Sequence, residues 1–311
     1  MQSGTGNGVG GKQVVLTGGT NGIGLAAVEA LVARGANVAL VARDKARGEV
    51  AAARARAGAA ASGGGASGAG DPGAVDVLVA DLSSQADVRR LAAEIASRYD
   101  RVDVLVNNAG AIFASRQLTG DGVERTWALN HIGPFLLTTL LLEKLRHSAP
   151  ARVITTASDA SKNAEVPFTD IDGAVAYGRG IGSGRGFRRY GQTKLANLVF
   201  TQELARRLQG SGVTAYSFHP GTVATNFNHN NGAFMSLAMA LIKPFSRSAA
   251  KGAETLVWLA EAPAESLRSG GYYFDNKEAP VPTGGAGEGI GARLWELSEK
   301  QVEGSAAPTP A

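Results

Sequence analysis

Cysteine is absent from this 311-residue chain. That excludes a disulfide framework, a thiolate nucleophile and any zinc or iron–sulfur site built on sulfur ligands. Histidine is scarce: four residues are scattered without ligand spacing, so no metal site is expected. Neither charge sign dominates. Basic side chains number 31 and acidic ones 27, and a surplus of +4 is too small to argue for a nucleic-acid partner. Long apolar runs are also missing. The longest, Ile132 to Leu142 and Phe234 to Ile242, fall short of the ~20 residues of a membrane-spanning helix, so no membrane span is expected. The opening MQSGTGNGVGGKQ has no basic start leading into an apolar stretch. Residues 1–11 read as a flexible leader, and the cytoplasm is the expected compartment. What the chain does hold is an apolar share of 44%, enough for a sizeable core.

Short β-branched runs recur with helical patterns between them, at Val14–Leu16, Val38–Val41, Val75–Val79, Val102–Val106, Val153–Thr156 and Val213–Phe218. Runs without polar alternation are buried on both faces, so this α/β spacing predicts a parallel sheet of about seven strands between two helical layers. A single doubly wound Rossmann-type domain over 12–303 is expected, with a flexible tail at 304–311. The first helix should span Gly24 to Arg34, with Gly35 ending it. Ser84 and Asp87 form an S-x-x-D cap for a later helix. A segment from Ala292 to Val302 reads as a terminal amphipathic helix. Two stretches break the pattern. Residues 58–74, mostly Ala, Gly and Ser, bury little and read as a flexible insertion. Gly178–Arg189 mixes Gly with Arg179, Arg185, Arg188 and Arg189, and reads as a solvated loop or a pocket rim.

After the first strand comes Thr17-Gly18-Gly19-Thr20-Asn21-Gly22-Ile23-Gly24, leading into a helix. Glycines let backbone N–H groups approach a pyrophosphate, and the positive helix end favours its charge, so a dinucleotide is expected here. The second strand ends in Arg43-Asp44. Arg43 offers a fork to a ribose 2′-phosphate, whereas Asp44 lies where a helix N-cap belongs, so NADP(H) is favoured over NAD(H). Asp81 and Leu82 end the third strand, where a carboxylate can take the adenine amino group.

Tyr190 and Lys194 are four apart on a helical segment, which puts both polar heads on one face. An ammonium beside a phenol favours phenolate and would lower its pKa, as a proton donor and acceptor for alcohol oxidation requires. Tyr273 to Lys277 repeats the spacing, but in a predicted strand and turn, where it reads as structural. Ser158, at the carboxyl edge of the fifth strand, can donate to a substrate oxygen on which charge builds. The amides Asn107, Asn108 and Asn130 are out of place by propensity, and such amides usually bind backbone or water. His219 reads as a packed strand-end residue.

Together the loop TGGTNGIG, Asp81, Asn107-Asn108-Ala109-Gly110, Asn130, Ser158, Tyr190 to Lys194 and His219 to Thr225 resemble the short-chain dehydrogenase/reductase family across nearly the whole chain. Ala128 to His131, Lys194 to Asn197, and Tyr273 to Glu278 followed by Arg293 to Ser298 resemble its retinol-dehydrogenase-like branch. The resemblance implies a catalytic tetrad of Asn130, Ser158, Tyr190 and Lys194, with Asn130 holding a water and Lys194 gripping the nicotinamide ribose. It also implies a coenzyme site. Gly18, Thr20, Asn21, Gly22, Ile23 and Gly24 would line the phosphates, Arg43, Asp81, Leu82, Asn107, Ala109 and Gly110 the adenosine side, and Pro220, Gly221, Thr222, Val223 and Thr225 the nicotinamide. Residues 226–250, rich in Phe and Met, would form a substrate lid suited to a lipophilic carbonyl compound or alcohol. The expected activity is NADP(H)-dependent interconversion of a ketone or aldehyde and its alcohol. A non-catalytic NADP-binding redox sensor and an S-adenosylmethionine methyltransferase are the rivals. By the same analogy, helices around Val123–Leu145 and Gly191–Leu208 could pair copies into a homodimer or homotetramer.

Overall fold

The computed structural model describes residues 8–61, 73–178, 184–223, 246–282 and 287–303. Its centre is an eight-stranded sheet in the order β3-β2-β1-β4-β5-β6-β7-β8. The strands are β1 (Gln13–Thr17), β2 (Asn37–Ala42), β3 (Val75–Val79), β4 (Val104–Asn107), β5 (Ala151–Thr156), β6 (Val213–Phe218), β7 (Tyr272–Phe274) and β8 (Lys277–Glu278). The first seven run parallel. The eighth is a two-residue antiparallel return, and it takes the sheet beyond the expected seven. Its turn is Asp275-Asn276, both at positive φ (47° and 59°), the geometry of a tight hairpin. Tyr273 therefore pairs with Glu278 and Phe274 with Lys277, so the second Y-x-x-x-K lies across a hairpin rather than on a helix face.

The helices are α1 (Gly22–Ala33), α2 (Lys45–Ala61), α3 (Gln85–Arg98), α4 (Arg125–Trp127), α5 (Gly133–Leu140), α6 (Leu142–His147), α7 (Ala174–Gly178), α8 (Gly184–Arg207), α9 (Ala249–Glu261) and α10 (Ile290–Glu303). A π-helical turn at Ala128–Ile132 joins α4 to α5. Buried apolar residues form one large cluster on each side of the sheet. The first includes Leu91, Trp127, Phe135, Leu195, Phe200 and Trp295; the second includes Val28, Leu31, Ala55, Tyr216 and Leu256.

Several local expectations are met. Ser84 Oγ accepts from the Asp87 amide at 3.3 Å, as the S-x-x-D spacing predicts. Gly35, at φ 83°, follows the end of α1. Others are revised. The alanine run of the presumed insertion continues α2 to Ala61, with Ala59 buried, because alanine is the best helix former. At the end of the leader Val9 is 1% exposed and joins the second core. In Gly178–Arg189 the described residues are helical: α7 ends at Gly178, α8 begins at Gly184, and Arg189 is fully buried, while 179–183, with Arg179, lie outside the described residues.

The sheet order reverses between β1 and β4. In doubly wound folds the carboxyl edge at such a switch point is where ligands sit.

Candidate active site

At the switch point Thr17 clasps the two central strands together. Its Oγ1 donates to the Val106 carbonyl (3.1 Å) and accepts from the Asn108 and Ala109 amides (3.0 and 3.1 Å). Asn108 Nδ2 donates back to the Thr17 and Gly18 carbonyls (3.0 and 3.2 Å). The turn is tight enough to require glycine. A Cβ on Gly18, at φ 71°, would lie 2.7 Å from the Ala109 Cα, and one on Gly24 would lie 2.2 Å from the Gly18 carbonyl oxygen. Gly22 is also at positive φ, 52°. Asn21, exposed at the N-cap of α1, makes no side-chain cap bond, and the first turn of α1 carries no acidic residue. Helix-end amides without a side-chain cap and without a competing carboxylate suit an anion such as a pyrophosphate. Thr20 and Ile23 are half-buried beside them.

Around this loop the other predicted coenzyme residues fall along one sheet edge. Arg43 is exposed at the end of β2. Asp44 Oδ1 accepts from the Arg47 amide at 2.8 Å and so caps α2. Asp81 Oδ1 accepts from the Ser83 amide and hydroxyl (2.9 and 2.7 Å), and Leu82 is buried. Asn107 is 2% exposed and donates to Thr138 Oγ1 at 2.9 Å. After β6, Gly221 takes φ 77° and its amide donates to His219 Nδ1 (3.3 Å). Pro220 and Val223 close on the phosphate loop through Gly252: a Cβ there would meet Val223 at 2.7 Å, Ile23 at 3.1 Å and Pro220 at 3.5 Å. The Thr222 carbonyl accepts from the Arg247 amide at 2.8 Å. Thr225 and most of the expected lid, including Phe234, lie outside the described residues.

The four residues expected to act on substrate converge. Tyr190 and Ser158 are joined by a side-chain hydrogen bond. Lys194 Nζ lies 5.5 Å from the centre of the Tyr190 ring and donates to the Thr156 carbonyl at 2.9 Å. Asn130 Oδ1 accepts from the Ala111 amide (2.9 Å), and its Nδ2 donates to the Ala111 carbonyl and to Thr193 Oγ1 (2.9 and 3.1 Å). Gly110 separates the amide from the amine, since a Cβ there would lie 3.2 Å from Asn130 Oδ1 and 3.3 Å from Lys194 Nζ. The π-helical turn widens the helix around Asn130, which frees that stretch to serve a site.

Electrostatics depart from expectation in one respect. Burial pushes the Tyr190 phenol up to about 12, and the Ser158 hydrogen bond opposes it. Burial also lowers the neighbouring Lys194 amine, to about 8. The phenol therefore holds its proton at neutral pH.

Residues 12–169 match the sequence pattern of the short chain dehydrogenase family. The chain belongs to this family. Among its relatives, a Streptomyces sp. (strain C5) protein named as a daunorubicin C-13 ketoreductase is 40% identical over 296 residues, covering 95% of this chain and 94% of that protein. Mouse retinol dehydrogenase 12 is 38% identical over 288 residues, covering 93% and 85%. The structure also resembles Pseudomonas aeruginosa RhlG, solved as an NADP active-site complex, with a TM-score of 0.64, 28% identity and coverage of 86% and 95%. As a short-chain dehydrogenase the protein is an oxidoreductase of the retinol-dehydrogenase-like branch. Among the described residues no helix is long and apolar enough to cross a membrane.

Sequence reasoning missed two features of this dehydrogenase. Thr193, the partner of Asn130, lay inside a motif read only for its tyrosine and lysine. Arg189 falls in the stretch that reads as a solvated loop or a pocket rim, although its place directly before Tyr190 on an amphipathic helix is a usable signal.

Proposed function

We propose that this dehydrogenase reduces a lipophilic ketone or aldehyde to its alcohol with NADPH. The observation carrying the proposal is the hydrogen-bonded Ser158–Tyr190 pair, set beside Lys194 on the same sheet edge as the glycine turn. A nicotinamide dinucleotide bound along that edge would supply the hydride, and in the reverse reaction would accept it. Gly18, Gly22, Gly24 and the first-turn amides of α1 would hold its phosphates. Thr222 and Val223 would flank its ring.

The protein's own groups handle the oxygen and the proton. When the carbonyl oxygen displaces the Ser158–Tyr190 bond, both hydroxyls donate to it, so negative charge developing there meets two donors already held side by side. Tyr190, neutral at working pH, then passes its proton to that oxygen. Lys194 sets the potential around the phenol and offers its ammonium to the ribose. Asn130, fixed by Ala111 and Thr193, orders solvent behind the lysine. NADPH is favoured because Arg43 is exposed at the end of β2 while Asp44 is engaged as a helix cap. Phe187, 52% exposed with its ring 6.3 Å from that of Tyr190, offers apolar surface for a lipophilic substrate. The daunorubicin ketoreductase relative and the NADP complex of a structural neighbour support the same reading.

The test is coenzyme oxidation followed by absorbance across a panel of ketones and aldehydes. Tyr190→Phe should bind NADPH normally yet lose turnover by about two orders of magnitude or more. Near-native turnover in that variant would refute the assignment. Arg43→Ala should lose affinity for NADPH and not for NADH, and equal effects on both would overturn the coenzyme preference.

A further inference from the structure

Glu124 and Arg189 form an ion pair whose side chains are both 0% exposed. The carboxylate is saturated. Oε1 accepts from the Thr126 amide (2.8 Å) and the Tyr177 hydroxyl (3.1 Å), and Oε2 from the Trp127 amide (3.0 Å) and Arg189 Nε (2.8 Å). The guanidinium is equally engaged. Nη1 donates to the Asp170 carbonyl and to Gln192 Oε1, each at 3.2 Å, and Nη2 donates to the Ile171 carbonyl. Its plane lies over the Trp127 ring at 5.0 Å. Gly173, at φ 73°, covers the pair so closely that a Cβ would stand 3.3 Å from Arg189 Nε and 3.4 Å from Glu124 Cγ.

A buried ion pair seldom adds stability beyond what an apolar pair of the same volume would give. Its retention therefore calls for another role, and the elements it touches supply one. Glu124 caps α4, and the π-helical turn that follows carries Asn130. Arg189 directly precedes Tyr190 on α8. Asp170 and Ile171 belong to the segment leading away from Ser158. A second bridge runs parallel to the pair: Asn130 Nδ2 donates to Thr193 Oγ1, which donates to the Tyr190 carbonyl at 2.7 Å.

We propose that Glu124 and Arg189 are positioning residues: their ion pair fixes Asn130, Tyr190 and the Ser158 segment relative to one another, and so sets the geometry of proton transfer. The inference rests on the reading of Tyr190 as proton donor.

The test compares Glu124→Gln/Arg189→Met, which removes both charges while keeping a capping amide, with Arg189→Lys and Gly173→Ala. The double variant leaves the Asp170 and Ile171 carbonyls without their donor, so it is expected to melt below the wild-type temperature, while binding NADPH with unchanged Kd in a fluorescence titration. Its kcat should fall at least tenfold with little change in KM, and the pH profile of kcat should shift as the Ser158–Tyr190 bond loosens. Arg189→Lys keeps the charge without the fork and should not restore kcat. Gly173→Ala crowds the pair without removing a charge and should lower kcat as well, which keeps the proposal testable if the double variant does not fold. Wild-type kcat in the double variant, or in Gly173→Ala should the former not fold, overturns the proposal. So does a kcat loss that merely follows the loss of melting temperature with an unmoved pH profile. If the wild-type enzyme turns over no carbonyl with either coenzyme, the functional reading fails by itself. Hydrogen exchange then decides the positional claim: faster exchange at 128–132 and 189–194 with unchanged β4 and β5 supports it, and unchanged exchange in both helical segments overturns it.

Discussion

Lys194 shows at the residue scale how far function governs stability. The folded protein holds its amine at about 8 against an ordinary 10.5, because the side chain is 2% exposed. Between those values the unfolded chain carries more protons than the folded one, so stability rises with pH across that window. Below it the buried ammonium costs about 3 kcal/mol, since each tenfold weakening of proton binding is worth ~1.36 kcal/mol. Lys194→Met removes that cost and also loses the bond to the Thr156 carbonyl, worth ~1 kcal/mol. The variant should therefore be about 2 kcal/mol more stable than wild type at pH 7, the advantage vanishing by about pH 10, while turnover collapses. Urea unfolding at the two pH values reads the difference. An equal loss of stability at both would show that the amine is not desolvated as described. The lysine was legible from its spacing to Tyr190, whereas its lowered pKa and the raised value of the phenol were not. Spacing places charges on one face of a helix, but desolvation depends on Thr156 and the strand it belongs to, far away in sequence.

Among the elements, those fixed by local chemistry were the readable ones. The caps at Ser84 and Asp44 and the stop after α1 follow from residues within one turn. The start of α8 was not readable, because what folds Arg189 inward is a carboxylate 65 residues earlier. The junction of the π-helical turn with α10 is a second case. His131 Nε2 meets Ser298 Oγ at 2.9 Å, and that hydroxyl donates to the Leu294 carbonyl at 2.8 Å, so the imidazole acts as donor. Burial lowers its pKa to about 3. A histidine held neutral contributes stability above its unfolded value, ~6.5, and this is lost as pH falls towards the folded value. The contribution at stake is about 5 kcal/mol at most. Replacing His131 with Gln should flatten the dependence of unfolding free energy on pH between 6.5 and 3 relative to wild type. Parallel curves for the two proteins would remove His131 as the cause of acid sensitivity.

At the scale of the whole molecule, the doubly wound arrangement was readable from the alternation of strand and helix patterns, while the docking of the terminal helix on aromatic rings from α5 and α8 was not. Helical surface around residues 123–145 and 191–208 suggested contact between copies. Within the chain, Phe135, Phe200 and Trp295 bring three elements together, with ring centres 5.0 to 5.9 Å apart, so α10 covers these rings on α5 and α8. Arg207 lies over the same indole at 4.2 Å. Trp295 is 5% exposed, and truncating it to Ala leaves a cavity that neighbours on α5 and α8 cannot fill without moving their own helices. The expected cost is ~3–5 kcal/mol. Because the two apolar clusters share one sheet, this loss should lower the stability of the entire domain instead of releasing α10 alone. Urea unfolding of Trp295→Ala should give one transition at a lower midpoint with the wild-type slope, and fluorescence and far-ultraviolet circular dichroism should coincide. A separate early loss of helical signal, with the remainder unfolding at the wild-type midpoint, would show that α10 is an appendage and not part of the common core.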